Sequence, residues 1–235
     1  MAIMRGTVER LMLRHLVAAT VLSIGACTAA LAQPGPQRFA GAVAGISTLS
    51  ADARSEITSD GVDASLYKPE NGPALNILLG VHVHDYFTVQ ANYVWNRNDV
   101  ALTSVHATES GSAFYEQPRT ASQHAVVADL LAYFRERRSG VRPYLSVGLG
   151  FVRLQTTAGG EGRNINAVSP PARVETTRAL LRVAVGIDVA LRHGWSARYS
   201  FSESVSGNPI SAQLSPPGRR SLANFQNLFG VMRAF

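Results

Sequence analysis

The sequence predicts an all-β fold: an eight-stranded antiparallel up-and-down transmembrane β-barrel over residues 38–235. Two observations lead to this prediction. Apolar and polar residues alternate with a period of two in successive segments, which is typical of strands with one apolar face. The connections between these segments alternate between short and long. No segment after Gln33 has the roughly 18 unbroken apolar residues of a membrane helix.

Residues 1–32 have the features of a signal peptide that is removed on export. Three arginines give a basic start, residues 16–26 are mostly apolar, and Ala30 and Ala32 form a small-x-small cleavage pattern. A membrane-anchoring helix is the alternative, but the apolar run is short and is followed by a Pro-Gly-Pro sequence. Cleavage would leave residues 33–37 as a short N-terminal tail.

The segment 24–27 also resembles a lipobox, in which Cys27 would become the lipidated first residue, so this route stays open. Loss of Cys27 with the signal peptide would leave no cysteine for a disulfide, a thiolate metal site or a nucleophile. Removal of three arginines and one glutamate from 22 basic and 16 acidic residues leaves 19 against 15. These arginines are scattered, so nucleic-acid binding is not expected.

Two hairpins can be predicted together with their register. In residues 75–83 and 87–95 the odd positions are apolar, and a turn at Asp85 pairs residues whose numbers sum to 170. The segments 178–191 and 195–202 repeat the pattern around His193, with pairs that sum to 386. The second register places Asp188 opposite Arg198 on the polar face, which predicts an internal ion pair.

A third hairpin is predicted from residues 128–134 and 143–151 around the turn 135–140. Two more strands bring the number to eight: a first strand at about 39–49 and a last strand at about 224–235. The pattern leaves the facing of the first strand undetermined.

The lengths of the connections predict which end of the barrel faces the periplasm and which faces outward. The connections near Asp85, Arg137 and His193 are short. Four others, of roughly twenty residues each, are rich in Gly, Pro, Ser, Asn and charge and are predicted as loops: 51–73, 97–121, 154–176 and 203–221. In outer-membrane barrels the tight turns face the periplasm and the long loops face outward.

The polar face of the strands collects charges, as the lumen of a membrane barrel would. The predicted lumen charges are Asp129, Arg142, Arg182, Asp188 and Arg198. The apolar face collects aromatics near both strand ends, as expected for two interfacial girdles: Phe87, Phe134, Trp195 and Phe235, and Tyr93, Trp95, Phe151 and Phe201. An eight-stranded interior is filled by its own side chains. We therefore expect a structural salt-bridge network, with a gate or narrow ion path as the alternative.

The segments 142–150, 186–189 and 193–196, with the terminal Phe235, resemble the small outer-membrane β-barrel family that includes OmpA-like transmembrane domains and opacity-type proteins. The resemblance covers about residues 38–235. It implies a Gram-negative outer membrane, extracellular loops and periplasmic termini. It also implies that the barrel-assembly machinery recognises the last strand, where Phe229, Val231 and Phe235 match the family spacing, and that periplasmic chaperones act earlier. Asn227 and Arg233 depart from that apolar row.

No cofactor, metal site or catalytic site is predicted. His82 and His84 share a face but lack a third ligand. No Gly-x-Ser-x-Gly or His-Glu-x-x-His motif occurs, and His124, predicted on the lipid face, has no serine or carboxylate obviously beside it. The acidic first loop is predicted to be solvated: five acidic residues, Asp63 among them, stand against two basic ones.

The predicted role is therefore that of a non-enzymatic, monomeric outer-membrane barrel with a structural or surface-interaction function. Its expected surroundings are outer-membrane lipid and lipopolysaccharide. A narrow pore for ions or small solutes is the alternative, and a lipid-modifying barrel enzyme is less favoured.

Overall fold

The structure is a computed structural model and describes residues 37–59, 61–68, 70–108, 111–167, 171–208 and 221–235. The predicted signal peptide and residues 33–36 of the tail lie outside these ranges. Within them the chain forms ten strands: β1 (Arg38–Thr58), β2 (Gly61–Lys68), β3 (Asn71–His82), β4 (Phe87–Thr108), β5 (Gly111–Tyr133), β6 (Val141–Ala158), β7 (Arg163–Ile165), β8 (Arg173–Ala190), β9 (Trp195–Gly207) and β10 (Ser221–Ala234). The described part of the chain has no helix long and apolar enough to cross a membrane.

Eight of these strands close into a barrel. Antiparallel pairing runs in the order β1, β3, β4, β5, β6, β8, β9 and β10, and β10 pairs back to β1 from Phe39↔Ala234 to Ser50↔Ala223. Closure satisfies the backbone donors and acceptors that an open edge would leave unpaired in hydrocarbon at several kcal/mol each. The ring confirms the predicted fold class.

The registers of the two predicted hairpins are also confirmed. Ile77 pairs with Tyr93 in the first hairpin, and Asp188 pairs with Arg198 in the second. His193 and Gly194 form the second turn with positive φ angles of 58° and 76°. A one-residue slip would reverse the facing of every side chain, so the apolar alternation fixes these registers.

Side chains alternate between the lumen and an apolar outer band. On β6 the outer row begins at Val141, includes Leu149 at 68 % exposure, and ends at Phe151, after which Arg153 follows. The eleven residues from Val141 to Phe151 match the roughly 9–11 residues that a tilted strand needs to cross a bilayer. This apolar band is the membrane-facing surface of the barrel.

The first strand, whose facing the sequence left open, points its larger apolar residues inward. Phe39, Val43 and Leu49 are buried, whereas Ile46 lies on the outer surface. On neighbouring β10, Leu228 and Met232 are also buried and pack with Phe39 and Val43. One sector of the lumen wall is therefore apolar, and for this reason the polar-in, apolar-out pattern was weak in β1.

The prediction of long loops is wrong for most of the length of three of them, and most of the fourth, 203–221, lies outside the described residues. β4 continues to Thr108 and β5 begins at Gly111, so the predicted loop 97–121 is largely one paired hairpin. In the predicted loop 51–73, β2 pairs with the outer parts of β1 and β4. The loop 154–176 is shortened by β6, β7 and β8, and 209–220 lies outside the described residues.

The hairpins extend beyond the band because apolar side chains there become buried inside the ring. Val100 and Leu102 of β4 are buried inside the ring beyond the apolar band, together with Tyr115 of β5. Alternation therefore persists past the membrane, although the surrounding Thr, Ser and Asn gave these segments a loop-like composition. We call the paired strand segments beyond the band, residues 51–58, 61–68, 97–108 and 111–122, the outer extension.

Candidate functional site in the barrel lumen

The first lumen ion pair joins Asp129 of β5 to Arg182 of β8 across the intervening strand β6. Arg182 Nη1 donates to Asp129 Oδ2 at 2.8 Å, and Asn92 Nδ2 donates to the same oxygen at 3.0 Å. Gly148 stands in register between the two residues, and a Cβ there would overlap the Asp129 carboxylate. The glycine makes the ion pair possible because it leaves the space that the carboxylate occupies.

The second ion pair joins Asp188 and Arg198, which are cross-strand neighbours on β8 and β9. Arg198 Nε and Nη2 donate to the two carboxylate oxygens at 2.7 and 2.8 Å, a bidentate arrangement. Tyr133 adds a hydroxyl donor to Asp188 Oδ2 at 2.7 Å, and the Arg198 guanidinium lies 4.8 Å from the Tyr144 ring centroid. The hydrogen bonds and the aromatic contact compensate for the burial of both charges.

Arg142, the fifth predicted lumen charge, is placed differently. It is 7 % exposed, and within the described part of the chain no carboxylate lies within 4.0 Å of its guanidinium. The guanidinium stacks 3.7 Å from the Tyr133 ring centroid and donates from Nη2 to the Asp85 carbonyl at 3.0 Å, while its buried Nε has no hydrogen-bond partner. The five charges thus form two ion pairs and one cation held by an aromatic ring.

Amide side chains fill the lumen between the charges and the outer extension. Asn224 Nδ2 donates to Asn96 Oδ1 at 3.0 Å and to Gln123 Oε1 at 2.8 Å, and Asn96 donates on to Asn98 at 2.7 Å. An internal cavity of about 10 Å³ beside Asp129 and Arg198 has room for roughly one water. The polar interior is therefore packed rather than open.

Beyond the amides, an apolar cluster occupies the interior where the outer extension begins. Its buried members come from β1, β4, β5, β6 and β10: Leu49, Val100, Leu102, Tyr115, Ala121, Leu154 and Leu222. Burial raises the pKa of Tyr115, although the nearby Arg119 acts in the opposite direction. We call these seven residues the outer apolar cluster. Five of these residues lie in the predicted loops 97–121 and 154–176, Leu222 lies just before the predicted last strand, and Leu49 lies in the strand whose facing was undetermined. A closed outer end was therefore not predicted.

Arg119 is a buried charge that the sequence analysis did not single out. It is 1 % exposed and donates to Thr156 Oγ1 and Gln117 Oε1, at 3.2 and 2.9 Å. Its Nη2 donates to the carbonyls of Pro171 and Ala172, at 2.8 and 3.1 Å. These carbonyls tie the connection before β8 to the barrel. No periodicity signal could reveal this contact, because it depends on where that connection lies.

An acid–histidine pair lies in the outer extension, where the sequence predicted a solvated acidic loop. Asp63 of β2 is 9 % exposed, and its carboxylate contacts Nδ1 of His106 on β4. The two residues are cross-strand partners. The solvated prediction is wrong for Asp63 because the pairing of β2 with β4 was not foreseen.

The other histidines match no metal site. His82 Nδ1 lies 2.6 Å from Thr88 Oγ1, and the Tyr93 hydroxyl lies 2.7 Å from His124 Nδ1. Among the described residues no group of three potential metal ligands occurs.

The last strand carries its apolar row on the outer surface. Phe229, Val231 and Phe235 are exposed there at 64 %, 43 % and 72 %. The two departures from the row have partners: Asn227 accepts from the Tyr199 hydroxyl at 2.9 Å, and the Arg233 guanidinium lies 5.7 Å from the Trp195 ring centroid. Both are accommodated at the band without entering the lumen.

Comparison with protein-family models matches residues 18–215 to the outer membrane protein beta-barrel domain family. The chain belongs to this family and is an OmpA-like transmembrane barrel of the Gram-negative outer membrane. No curated protein sequence matches it.

Several solved structures are similar to this chain, and neisserial surface protein A supports the same fold. Neisserial surface protein A is similar at 14 % identity, with a TM-score of 0.52 over 84 % of this chain and 97 % of that one. OprG from Pseudomonas aeruginosa gives 13 % identity and a TM-score of 0.45 over 85 % and 96 %. Ail of Yersinia pestis, the attachment invasion locus protein, gives 12 % and 0.42 over 84 % and 98 %.

Proposed function

We propose that this outer-membrane barrel is a non-enzymatic structural or surface-interaction protein that acts through its outer extension. The observation that carries the proposal is the length of the β4–β5 hairpin. The twelve residues from Arg97 to Thr108 continue beyond the apolar band, a strand length of about 40 Å. Pairing with β2 and the outer apolar cluster gives this extension an ordered framework that can present contact residues.

A narrow pore is the second candidate, and the charged lumen favours it. Against it stand the packed amides and the outer apolar cluster, because ions crossing the lumen would lose their hydration beside apolar side chains. The two lumen ion pairs act in this proposal as structural charges that join β5 to β8 and β8 to β9.

A lipid-modifying enzyme is the least favoured candidate. Asp63 and His106 provide an acid–histidine pair, but it lies in the outer extension, away from the outward surface of the apolar band where acyl chains would pack. Incubation of the folded barrel with lipopolysaccharide should leave the lipid mass unchanged. A mass shift that the Asp63→Asn variant abolishes would overturn the non-enzymatic proposal.

The proposal includes an orientation: extracellular long loops and both termini in the periplasm, with the barrel acting as a monomer. Single cysteines test it, at Ser112 in the outer extension and at Ser139 in a short turn. A membrane-impermeant maleimide should label Ser112→Cys on intact cells and Ser139→Cys only after the outer membrane is permeabilised. The reverse pattern would contradict the orientation. The wild-type protein should not be labelled, because Cys27 would be lost with the signal peptide. The mass of its mature form should match a chain that begins at Gln33.

Contact at the cell surface can be tested without knowing the partner. A photo-crosslinking amino acid at Ser112 should give a discrete protein or polysaccharide adduct in intact cells. The matched position is Leu149 on the apolar band, where only outer-membrane lipid and lipopolysaccharide should be captured. Lipid adducts alone from Ser112 and from several neighbouring positions would contradict a surface-interaction role.

We further propose that Phe229, Val231 and Phe235 form the signal read by the barrel-assembly machinery after transport by periplasmic chaperones. Their exposure on the outer row supports this role. Phe235→Ser should lower insertion in cells but leave refolding in detergent intact. Equal insertion of the variant and the wild type would contradict it.

A further inference from the structure

A pocket opens at the end of the barrel where the short turns and both barrel termini meet. We call it the short-turn pocket. It has a volume of about 160 Å³, and its lining includes Arg137, Arg142, Phe39, Trp195 and Met232. A cavity of roughly 150 Å³ is large enough for a benzene-sized molecule. The pocket therefore has room for a small ligand, unlike the cavity deeper in the lumen.

The charges that line the pocket are predominantly positive. Arg142 brings a buried guanidinium that lacks a carboxylate partner within the described residues and whose Nε has no hydrogen bond. Arg137 lines the same pocket, and its Nη2 lies 3.5 Å from Oδ1 of the exposed Asp85. Asp188, the acidic lining residue, is already bound by two nitrogens of Arg198 and by the Tyr133 hydroxyl. An anion would supply the missing counter-charge.

The other residues that line the pocket indicate which class of anion it would bind. The buried side chains of Phe39 and Met232 give the pocket an apolar side, and Ser139 and Ser196 also line it. An inorganic anion would leave the apolar side unused. A small carboxylate with a short apolar body would place its oxygens at the two arginines and its carbons against the apolar side.

We propose that the short-turn pocket binds small organic carboxylates, with Arg142 as the principal anchor and Arg137 as a second cation. This activity is separate from the proposed surface role, because the pocket lies at the opposite end of the barrel from the outer extension. Loss of either activity would leave the other unaffected.

Isothermal titration calorimetry provides a direct readout. In the folded full barrel, titration with butanoate should give a saturable heat of binding. Butanamide, which has the same shape without the charge, and inorganic phosphate should bind at least about tenfold more weakly.

Variants at the same end of the barrel separate binding from folding. Arg142→Met keeps the length of the side chain and should weaken butanoate binding at least about tenfold. Arg138→Met removes an exposed charge from the same turn and should bind like the wild type. Heat-modifiable gel migration verifies that each variant is folded.

Three outcomes would overturn the proposal. The first is a folded barrel without a saturable response to butanoate. The second is a response of equal strength to butanamide or to phosphate alone. The third is an Arg142→Met variant that is folded and binds butanoate as tightly as the wild type.

Discussion

Arg182 reaches Asp129 across β6 only because Gly148 between them has no side chain. The same relation recurs where Gly80 faces the Phe39 ring and Gly186 faces the Tyr144 ring, since a Cβ at either glycine would overlap the ring. In a narrow barrel, large side chains from one strand need space left by the next. These lumen glycines thus leave the space that the Asp129 carboxylate and the Phe39 and Tyr144 rings occupy.

Removal of one partner of a buried ion pair should be strongly destabilising. Arg182→Met leaves the Asp129 carboxylate buried without its cation and should lower the free energy of unfolding by about 3–5 kcal/mol. Urea unfolding of the refolded barrel measures this change. Arg153→Met is the matched control, because Arg153 pairs with Glu175 on the exposed surface, and its loss should be about 1 kcal/mol or less. Equal effects of the two variants would contradict a structural role for the lumen pair.

A methyl group at Gly148 should act through the same pair. Gly148→Ala would force the Asp129 carboxylate away from Arg182 and should destabilise the barrel by about 1–3 kcal/mol. Gly140→Ala, where nothing lies within 4 Å of the added Cβ, should change stability by about 1 kcal/mol or less. The same unfolding experiment compares them. A neutral Gly148→Ala would show that the lumen can accommodate the methyl group.

At the scale of elements, the strands within the apolar band could be predicted from the sequence and the outer extension could not. Ile77 and Tyr93 lie on unbroken outer rows of apolar residues, which fix register as well as facing. The outer extension depends on pairings such as that of β2 with β4 and on burial in a cluster contributed by five strands. Such long-range contacts leave no period in the sequence. For the same reason Asp63 was assigned to a solvated loop.

The lumen contacts likewise include some that the sequence predicts and some that it does not. The Asp188–Arg198 pair follows from hairpin register, because the two residues are direct cross-strand neighbours. The Asp129–Arg182 pair spans two strand intervals and needs the register of two hydrogen-bonded ladders together. The position of Arg142 over Tyr133 depends on side-chain conformation, which the sequence pattern does not determine.

The outer apolar cluster should hold the outer extension together without determining the barrel. Leu102→Ala removes a fully buried side chain and should speed amide hydrogen exchange in residues 100–107, while exchange in 87–95 stays slow. The free energy of local unfolding of the outer extension should fall by about 2–5 kcal/mol. Ile57→Ala, at 85 % exposure in the same extension, should leave both regions unchanged. Faster exchange throughout β4 would instead mean that the extension and the barrel unfold as one unit.

In the molecule as a whole, the closed ring has three regions of different chemistry. Its outer surface is apolar where lipid surrounds it, its interior is charged and hydrogen-bonded, and its outer end is closed by packed apolar side chains. These features fit the proposed structural or surface-interaction role better than a narrow pore. In that proposal the interior stabilises the ring, and the outer extension contacts other molecules.

Single-channel recording in planar bilayers distinguishes the proposed role from that of a pore. Folded barrel, verified by heat-modifiable migration before reconstitution, should give no stepwise conductance at either polarity, because packed amides and the outer apolar cluster block the lumen. The Leu102→Ala variant provides a comparison in which the outer closure is loosened. Reproducible unitary steps from the wild-type barrel, altered in size by Arg198→Met, would show that ions cross the lumen and would contradict the closed-barrel assignment.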